Sequence, residues 1–279
     1  MVTGATSGIG LFTALELARM GAVVIIVSRD ARRCEAASLR IRQQTGNPAV
    51  DYIAADLSSQ AQVRQLADVF QGRYSRLDVL VNNAGAFFLR RQQSVDGIEM
   101  TFALNHLNYF LLTHLLLDML KTSAPARIVN VSSNAHRKAV MNFEDIEGKR
   151  KYSSFQAYGQ SKLANLLFSY ELARKLEGVA VTANAAHPGF VATNIGKNNG
   201  PLAKLVMPIA TLRALRPEEG ARTPVYVASS PNVEGISGQY FVKQMPVPSS
   251  PESYDLQSAR RLWEISAEMT GLLTEASHE

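Results

Sequence analysis

Short β-branched runs alternate with amphipathic helical stretches along most of this chain, and that alternation narrows the possible folds more than any other feature. Ala22 to Ser28 (AVVIIVS) is continuous and apolar, and a helical pattern from Ala31 to Thr45 follows it. The strand signal returns at Val50 to Ala55, Val79 to Asn82, Ile128 to Ser132 and Ala180 to Ala186. Helical patterns near Gln60 to Phe70, Gly97 to Leu120 and Tyr158 to Leu176 lie between them. Strands that are apolar on both faces need helices on both sides, which predicts a parallel α/β sheet with right-handed crossovers. Ligands of such sheets bind at the carboxyl ends of the strands.

A glycine-rich stretch, TGATSGIG from Thr3 to Gly10, opens the chain and runs into the helical sequence LFTALELARM. Gly4, Gly8 and Gly10 allow positive φ or close approach of a ligand to the backbone. The following helix turns its unpaired N–H groups and positive dipole end toward that loop, which suits a phosphate or pyrophosphate. The spacing is neither the Gly-x-Gly-x-x-Gly fingerprint nor a loop ending in Gly-Lys-Ser/Thr, so a ligand-free turn stays open as the alternative. Only Met1, Val2 and Thr3 precede the loop, fewer than the five or six residues of a usual strand. The expectation is a short natural start or residues missing upstream.

With 279 residues the chain has room for one or two domains. Met245 to Pro251 (MPVPSSP) reads as a loop and Ser258 to Thr270 as a last helix carrying Trp263. The expected division is therefore a nucleotide-binding unit over 1–245 and a C-terminal extension over 246–279. The single cysteine, Cys34, excludes an internal disulfide and fits a reducing compartment. A net charge of +5 without a Lys/Arg block or interleaved aromatics argues against nucleic acid and for a small anionic ligand. The run Tyr109 to Leu117 (YFLLTHLLL) is too short for a membrane span of about 20 residues, and no signal peptide precedes the glycine loop. These readings predict a cytoplasmic protein without a membrane segment. The histidines show no metal-ligand spacing and Ser133 lies in no nucleophile elbow, so no metal or hydrolase site is expected.

Polar residues recur where strands end. Ser28, Arg29 and Asp30 follow the second strand; an acidic residue at the strand end bonds an adenosine ribose, whereas an arginine accepts a 2′-phosphate. Arg29 therefore favours NADP, against the alternative of a solvated arginine at a helix start. Asp56 and Leu57 follow the third strand and Asn82-Asn83-Ala84-Gly85 the fourth. Ala84 and Gly85 are small enough for a flat ring to approach, and Asn82 is expected to tie strands together. Ser132 and Ser133 end the fifth strand, and Tyr158 and Lys162 share one helix face with Asn165 a turn further on. An ammonium beside the phenol is expected to lower its pKa from about 10 toward the range of a working acid/base.

Taken together, TGATSGIG, NNAG, IVNVSS, YGQSK and HPGFVAT resemble, in kind and order, the motifs of the short-chain dehydrogenase/reductase family from Val2 to about Val242. The resemblance implies a Rossmann-type doubly wound parallel sheet of about seven strands and a bound nicotinamide nucleotide, NADP(H) by Arg29, with NAD(H) the other option. It makes Tyr158 the general acid/base, Lys162 its partner and holder of the nicotinamide ribose, and Ser133, rather than Ser132, the holder of the substrate oxygen. Asn105 in FALNHL matches the asparagine that keeps a relay water beside the lysine. The implied cofactor contacts are Gly4, Ser7, Gly8, Ile9, Gly10, Arg29, Asp56, Leu57, Asn83, Ala84, Gly85, Tyr158, Lys162, Pro188, Gly189, Val191 and Thr193. The expected activity is hydride transfer at a carbonyl or alcohol carbon; a weakly catalytic nucleotide sensor or scaffold is the other reading. Monomer and homo-oligomer both remain open.

Ser133 and Tyr158 are 25 positions apart, wider than in most of the family. The intervening KAVMNFEDIEGKRKYSSF and the terminal SARRLWEISAEMTGL are similar to the retinol dehydrogenase and protochlorophyllide reductase-like branch. Glu144, Asp145 and Glu147 of that insertion read as a charged surface loop. The substrate lid is placed at about 190–216. With Phe87, Phe88 and Leu89 it is expected to wall the reacting carbon with apolar surface and to favour a lipophilic aldehyde, ketone or alcohol.

Overall fold

A computed structural model of the chain describes residues 1–191 and 215–272. Its strands are β1 (Val2–Thr3), β2 (Val24–Ser28), β3 (Val50–Ala54), β4 (Val79–Asn82), β5 (Ala126–Val131), β6 (Val181–His187), β7 (Tyr240–Val242) and β8 (Met245–Pro246). They form one sheet in the order β3-β2-β1-β4-β5-β6-β7-β8. The first seven are parallel, and β8 runs antiparallel to β7 through Phe241 opposite Pro246. The expected parallel sheet is present with one further strand. The loop expected at Met245 is in part that strand, because Lys243 and Gln244 take positive φ and turn the chain back on itself.

Alternation along the strands sorts the core into two layers, since successive side chains point to opposite faces. Ile25, Val27, Leu80 and Ile128 point to the face covered by α3 (Gln60–Arg73), α5 (Asn108–Leu115) and part of α7 (Ser154–Lys175). Val24, Ile26, Val81 and Val129 point to the face covered by α1 (Gly8–Arg19), α2 (Ala31–Thr45) and α8 (Pro217–Ser229). β1 lies between β2 and β4 although it has only two residues, and Val2 is 1% exposed.

The helix expected from Gly97 begins instead at Met100, because the Glu99 carboxylate caps it by accepting from the Thr101 and Phe102 N–H groups. It then changes character: α4 (Met100–Phe102) passes through a π-helical turn, Ala103–Leu107, into α5, and α6 (Leu117–Thr122) follows. The last helix, α9 (Leu256–Thr270), lies against α7. Its Leu262 is buried with Leu163 and Leu167, and Trp263 stands edge-on to Phe110 at 5.1 Å. No helix among the described residues is long and apolar enough to cross a membrane.

Candidate active site

The carboxyl edge of the sheet is organised around Thr3 and Asn83. The Asn83 side-chain amide donates to the Thr3 carbonyl at 2.8 Å, while the Asn83 and Ala84 backbone N–H groups donate to Thr3 Oγ1 at 2.9 and 3.0 Å. Gly4, at φ +66°, folds so tightly onto this turn that a Cβ there would lie 2.8 Å from Ala84 Cα. A Cβ on Gly10 would lie 2.4 Å from Asn83 Nδ2 and 2.6 Å from the Gly4 carbonyl. The loop is thus pinned flat on the Asn83-Ala84 turn. Helix α1 starts beyond it with Ser7 at the cap, no side-chain cap bond and no acidic residue in its first turn. Its leading N–H groups and dipole end therefore suit an anion, which is the fit a nucleotide pyrophosphate requires.

Arg29 is exposed past β2 and has no hydrogen bond or ion pair among the described residues. Its neighbour Asp30 is occupied: its carboxylate accepts from the Arg33 N–H at 3.1 Å and caps α2. Asp56 Oδ1 accepts from the Ser58 N–H and hydroxyl at 3.0 and 2.7 Å. The Leu57 side chain belongs to the core, so only its main chain is available to a ligand. Among the described residues no group of three or more His, Cys, Asp or Glu has metal-binding geometry.

Four further residues meet on the other side of the loop. The Ser133 side chain, which accepts from the Ala135 N–H at 3.2 Å, lies close enough to the Tyr158 hydroxyl to lower its pKa. Ser132, the competing serine, points away and donates to the Lys162 carbonyl at 2.8 Å. Lys162 Nζ donates to the Val131 carbonyl at 3.1 Å and lies 5.7 Å from the Tyr158 ring centre and 5.8 Å from that of Tyr109. Burial pushes the Tyr158 phenol up to about 12, with Ser133 pulling it down, and burial brings the Lys162 ammonium down to about 7. The expectation that Lys162 lowers the phenol's pKa is therefore not met in this arrangement. Leaving water is the dominant effect on both groups, and each is drawn toward its neutral form.

Asn105 sits in the π-helical turn. Its side-chain amide donates to the Ala86 carbonyl and to Ser161 Oγ, and its Oδ1 accepts from the Ala86 N–H at 2.8 Å. It thereby anchors the segment after NNAG beside Lys162, and a Cβ on Gly85 would lie 3.1 Å from Asn105 Oδ1 and 3.6 Å from Lys162 Nζ. Asn165 Nδ2 donates to the Asn105 carbonyl at 2.9 Å. Asn82, as expected, ties strands, donating to Asn130 Oδ1 at 2.9 Å.

Pro188 and Gly189 follow β6, with Gly189 at φ +88°. Val191 bridges to Leu215 and packs with Ile9 over Gly220 of α8, where a Cβ would lie 2.5 Å from Val191 Cγ2 and 3.2 Å from Ile9 Cγ1. Thr193 and most of the 190–216 lid lie outside the described residues. Of the apolar wall, Phe88 is buried and Leu89 half exposed, and Phe87 stands edge-on to Tyr158 at 5.7 Å. Phe155 was not singled out from the sequence, yet its ring lies 5.3 Å from that of Phe87 and one turn before Tyr158 on α7. Ser161 and Tyr109 were also missed; both lie within or beside recognised motifs, and nothing in their spacing marks them.

The model of the short chain dehydrogenase family matches residues 1–202. Retinol dehydrogenase 14 from Homo sapiens is 44% identical over 291 residues, spanning 98% of this chain and 86% of that protein. Retinol dehydrogenase 13 from Homo sapiens is 43% identical, with 98% and 84% covered. Among solved structures, an uncharacterized protein from Mycobacterium paratuberculosis superposes with a TM-score of 0.78 at 37% identity, covering 96% of this chain and 91% of that one. The NADP complex of RhlG from Pseudomonas aeruginosa gives 0.69 at 31%, covering 90% and 94%. The ordered motifs, the sheet and these likenesses together show that the chain belongs to the short-chain dehydrogenase/reductase family of oxidoreductases, in its retinol dehydrogenase-like branch.

Proposed function

We propose that the chain is an NADP(H)-dependent oxidoreductase that interconverts the carbonyl and alcohol forms of a lipophilic aldehyde, ketone or retinoid-like substrate. The observation that carries this reading is Lys162 Nζ 5.7 Å from the Tyr158 ring centre, with the Ser133 side chain near the hydroxyl of that ring. When bound, the nicotinamide nucleotide supplies or accepts the hydride. Ser133 donates a hydrogen bond to the substrate oxygen, and Tyr158 gives that oxygen its proton in reduction and takes it back in oxidation. At neutral pH the phenol is protonated and so carries the proton that reduction requires. Lys162 presents donors beyond its bond to Val131 for ribose hydroxyls, and Asn105 keeps the Ala86 segment beside it.

Preference for NADP(H) is supported by Arg29, exposed and unpaired among the described residues while Asp30 is committed to its cap. Gly4, Ser7, Gly8, Ile9 and Gly10 hold the pyrophosphate. Asp56, the Leu57 main chain and the Asn83-Ala84-Gly85 turn line the adenosine side and ring floor, and Pro188, Gly189, Val191 and Thr193 meet the carboxamide. An apolar substrate is supported by Phe87 beside Tyr158, by Phe155 tilted against Phe87, and by the retinol dehydrogenases among the relatives.

Titration with NADPH and NADH, followed by nicotinamide absorbance with short polar and long apolar carbonyl compounds, tests the reading. Tighter NADPH binding and faster turnover of long apolar aldehydes are expected. Equal affinity for the two nucleotides would remove Arg29 from its role, faster turnover of short polar carbonyls would remove the lipophilic assignment, and binding without any turnover would make the protein a nucleotide sensor or scaffold.

A further inference from the structure

His136 lies directly behind Ser133 and is fully buried, at 0% exposure. Its Nδ1 is 2.6 Å from the Ser133 carbonyl, and its Nε2 accepts from the Ser250 backbone N–H at 3.2 Å. These two contacts fix the imidazole's state. A backbone N–H only donates, so Nε2 carries no proton; a carbonyl only accepts, so Nδ1 carries one. The ring is therefore the neutral Nδ1–H tautomer. The His136 backbone N–H also donates to the Ser133 carbonyl at 3.1 Å, so residue 136 grips one carbonyl twice.

What the ring attaches Ser133 to is the chain after β8. That segment is itself fastened to α7: Ser249 Oγ is 2.8 Å from the Tyr170 hydroxyl, and Ser249 N–H donates to the Tyr254 hydroxyl at 3.0 Å. The Tyr254 ring is stacked on Tyr170 at 5.3 Å. Arg137 Nη2 donates to the Pro248 carbonyl at 2.6 Å. Ser133 and Tyr158 are thus both referred to α7, Tyr158 by being part of it and Ser133 through His136, Ser250 and the Ser249–Tyr170 contact.

We propose that His136 is a positioning residue of the active site: as a neutral Nδ1–H donor anchored at Ser250, it sets the main chain of Ser133 so that the serine hydroxyl meets Tyr158 and the substrate oxygen. This rests on the assignment of Ser133 as the substrate-oxygen holder. Protonation of Nε2 destroys the acceptor that Ser250 needs and sets N–H against N–H, so the anchor fails in acid. The groups facing the ring are Tyr240, edge-on at 5.0 Å, with His187, Arg137 and Glu252 near enough to act on it or feel it by charge. Burial, with Arg137, favours the neutral ring; the Ser133 carbonyl and Glu252 oppose them, and the outcome lies below the ordinary histidine value.

Three variants separate positioning from mere packing. In His136→Asn the amide nitrogen takes the place of Nδ1 and keeps the bond to Ser133. His136→Gln reaches the place of Nε2, keeps the Ser250 contact and loses the Ser133 one. Ser250→Pro removes the anchoring N–H together with a buried hydroxyl that has no hydrogen-bond partner among the described residues, and the φ of −76° at this position is one proline accepts. With bound NADPH, kcat in His136→Gln is expected to fall by about tenfold or more while nucleotide affinity holds, and His136→Asn is expected to recover most of that loss. In Ser250→Pro the anchor is absent at every pH, so kcat is expected to fall already at neutral pH and the part of the acid limb due to His136 to disappear. Two NMR readouts do not depend on turnover: the imidazole nitrogen shifts of the wild type, which should report Nδ1–H, and the Ser133 amide shift, which should move in His136→Gln and not in His136→Asn. An Nε2–H ring, or Asn and Gln variants alike in kcat or in the Ser133 shift and altered only in melting temperature, would overturn the proposal. Failure of Tyr158→Phe to abolish turnover would instead remove the catalytic assignment while the NMR results still decide the tautomer and the anchor.

Discussion

The Asn83 side chain donates its amide to the Thr3 carbonyl at 2.8 Å across 80 residues of sequence, and the same nitrogen bounds the space above Gly10. The glycine loop is therefore shaped from outside itself. Gly10→Ala places a methyl 2.4 Å from that nitrogen and 2.6 Å from the Gly4 carbonyl, neither of which can withdraw without opening the loop. Nucleotide affinity should fall by tenfold or more, about 1.4 kcal/mol at the least. Gly21→Ala is the control: it meets nothing within 4 Å and is strained only by φ +84°, so it should cost about 1 kcal/mol of stability and leave affinity intact. Fluorescence titration with NADPH and thermal melting of both variants distinguish the two effects; equal affinity in Gly10→Ala would disprove the clamp.

Removing the Tyr158 hydroxyl leaves a ring that still packs against Phe87 at 5.7 Å and near Lys162. Tyr158→Phe should lower kcat by about 10²–10⁴-fold, the span of a general acid, with nucleotide binding unchanged. Turnover within a few-fold of wild type would mean that the proton comes from elsewhere.

The layers of this fold were legible because each strand is apolar on both faces. Ile25 and Ile26 belong to opposite core layers, as the run AVVIIVS requires. The helix over Ala31–Thr45 was legible to the residue, bounded by the Asp30 cap and Gly46 at φ +72°. Less legible was whatever depends on contacts distant in sequence. The π-helical turn that carries Asn105 has no local signature. The docking of α9 rests on Trp263 meeting Phe110 and His114, which no periodicity reveals. Strand β8 is two residues long and contains a proline, so pattern reading takes it for a loop. At the site, residue types gave the candidates, but not that Asp30 is spent on a cap, that Ser132 is turned to the Lys162 carbonyl, or that burial dominates the Tyr158 phenol.

Two buried histidines should make the protein acid-labile. Burial holds His106 and His187 at about 4 in the fold against 6.5 unperturbed. Below 6.5 the unfolded chain takes up protons that the folded chain refuses, so stability is full above that value and is lost as pH falls toward 4. Each contributes a loss of roughly 3 kcal/mol at the bottom of that window. Melting temperatures measured from pH 7 to 4 should drop, and His106→Gln should lessen the slope by about one proton. Acid sensitivity unchanged in that variant would mean that His106 titrates normally, despite its contacts to Asn165 and to Ser266 Oγ at 2.9 Å.

Lys162 should cost the nucleotide-free protein stability. It is 3% exposed, and Nζ has one carbonyl, Val131, at 3.1 Å. Its pKa is lowered to about 7 from 10.5, so between those values the unfolded chain binds the extra proton and stability rises with pH. At pH 7 and below the charged side chain carries its whole burial penalty, on the order of a few kcal/mol. Lys162→Met removes the charge at similar volume. It should melt several degrees higher than wild type at pH 7, on the scale of about 2–4 °C per kcal/mol for a chain of this size. The difference should shrink toward pH 10.5, while turnover is lost because no donor remains for the ribose and none beside the phenol. A variant that melts lower than wild type at pH 7 would show that the lysine's contacts repay its desolvation, and the reading of this side chain as a strained functional group would be withdrawn.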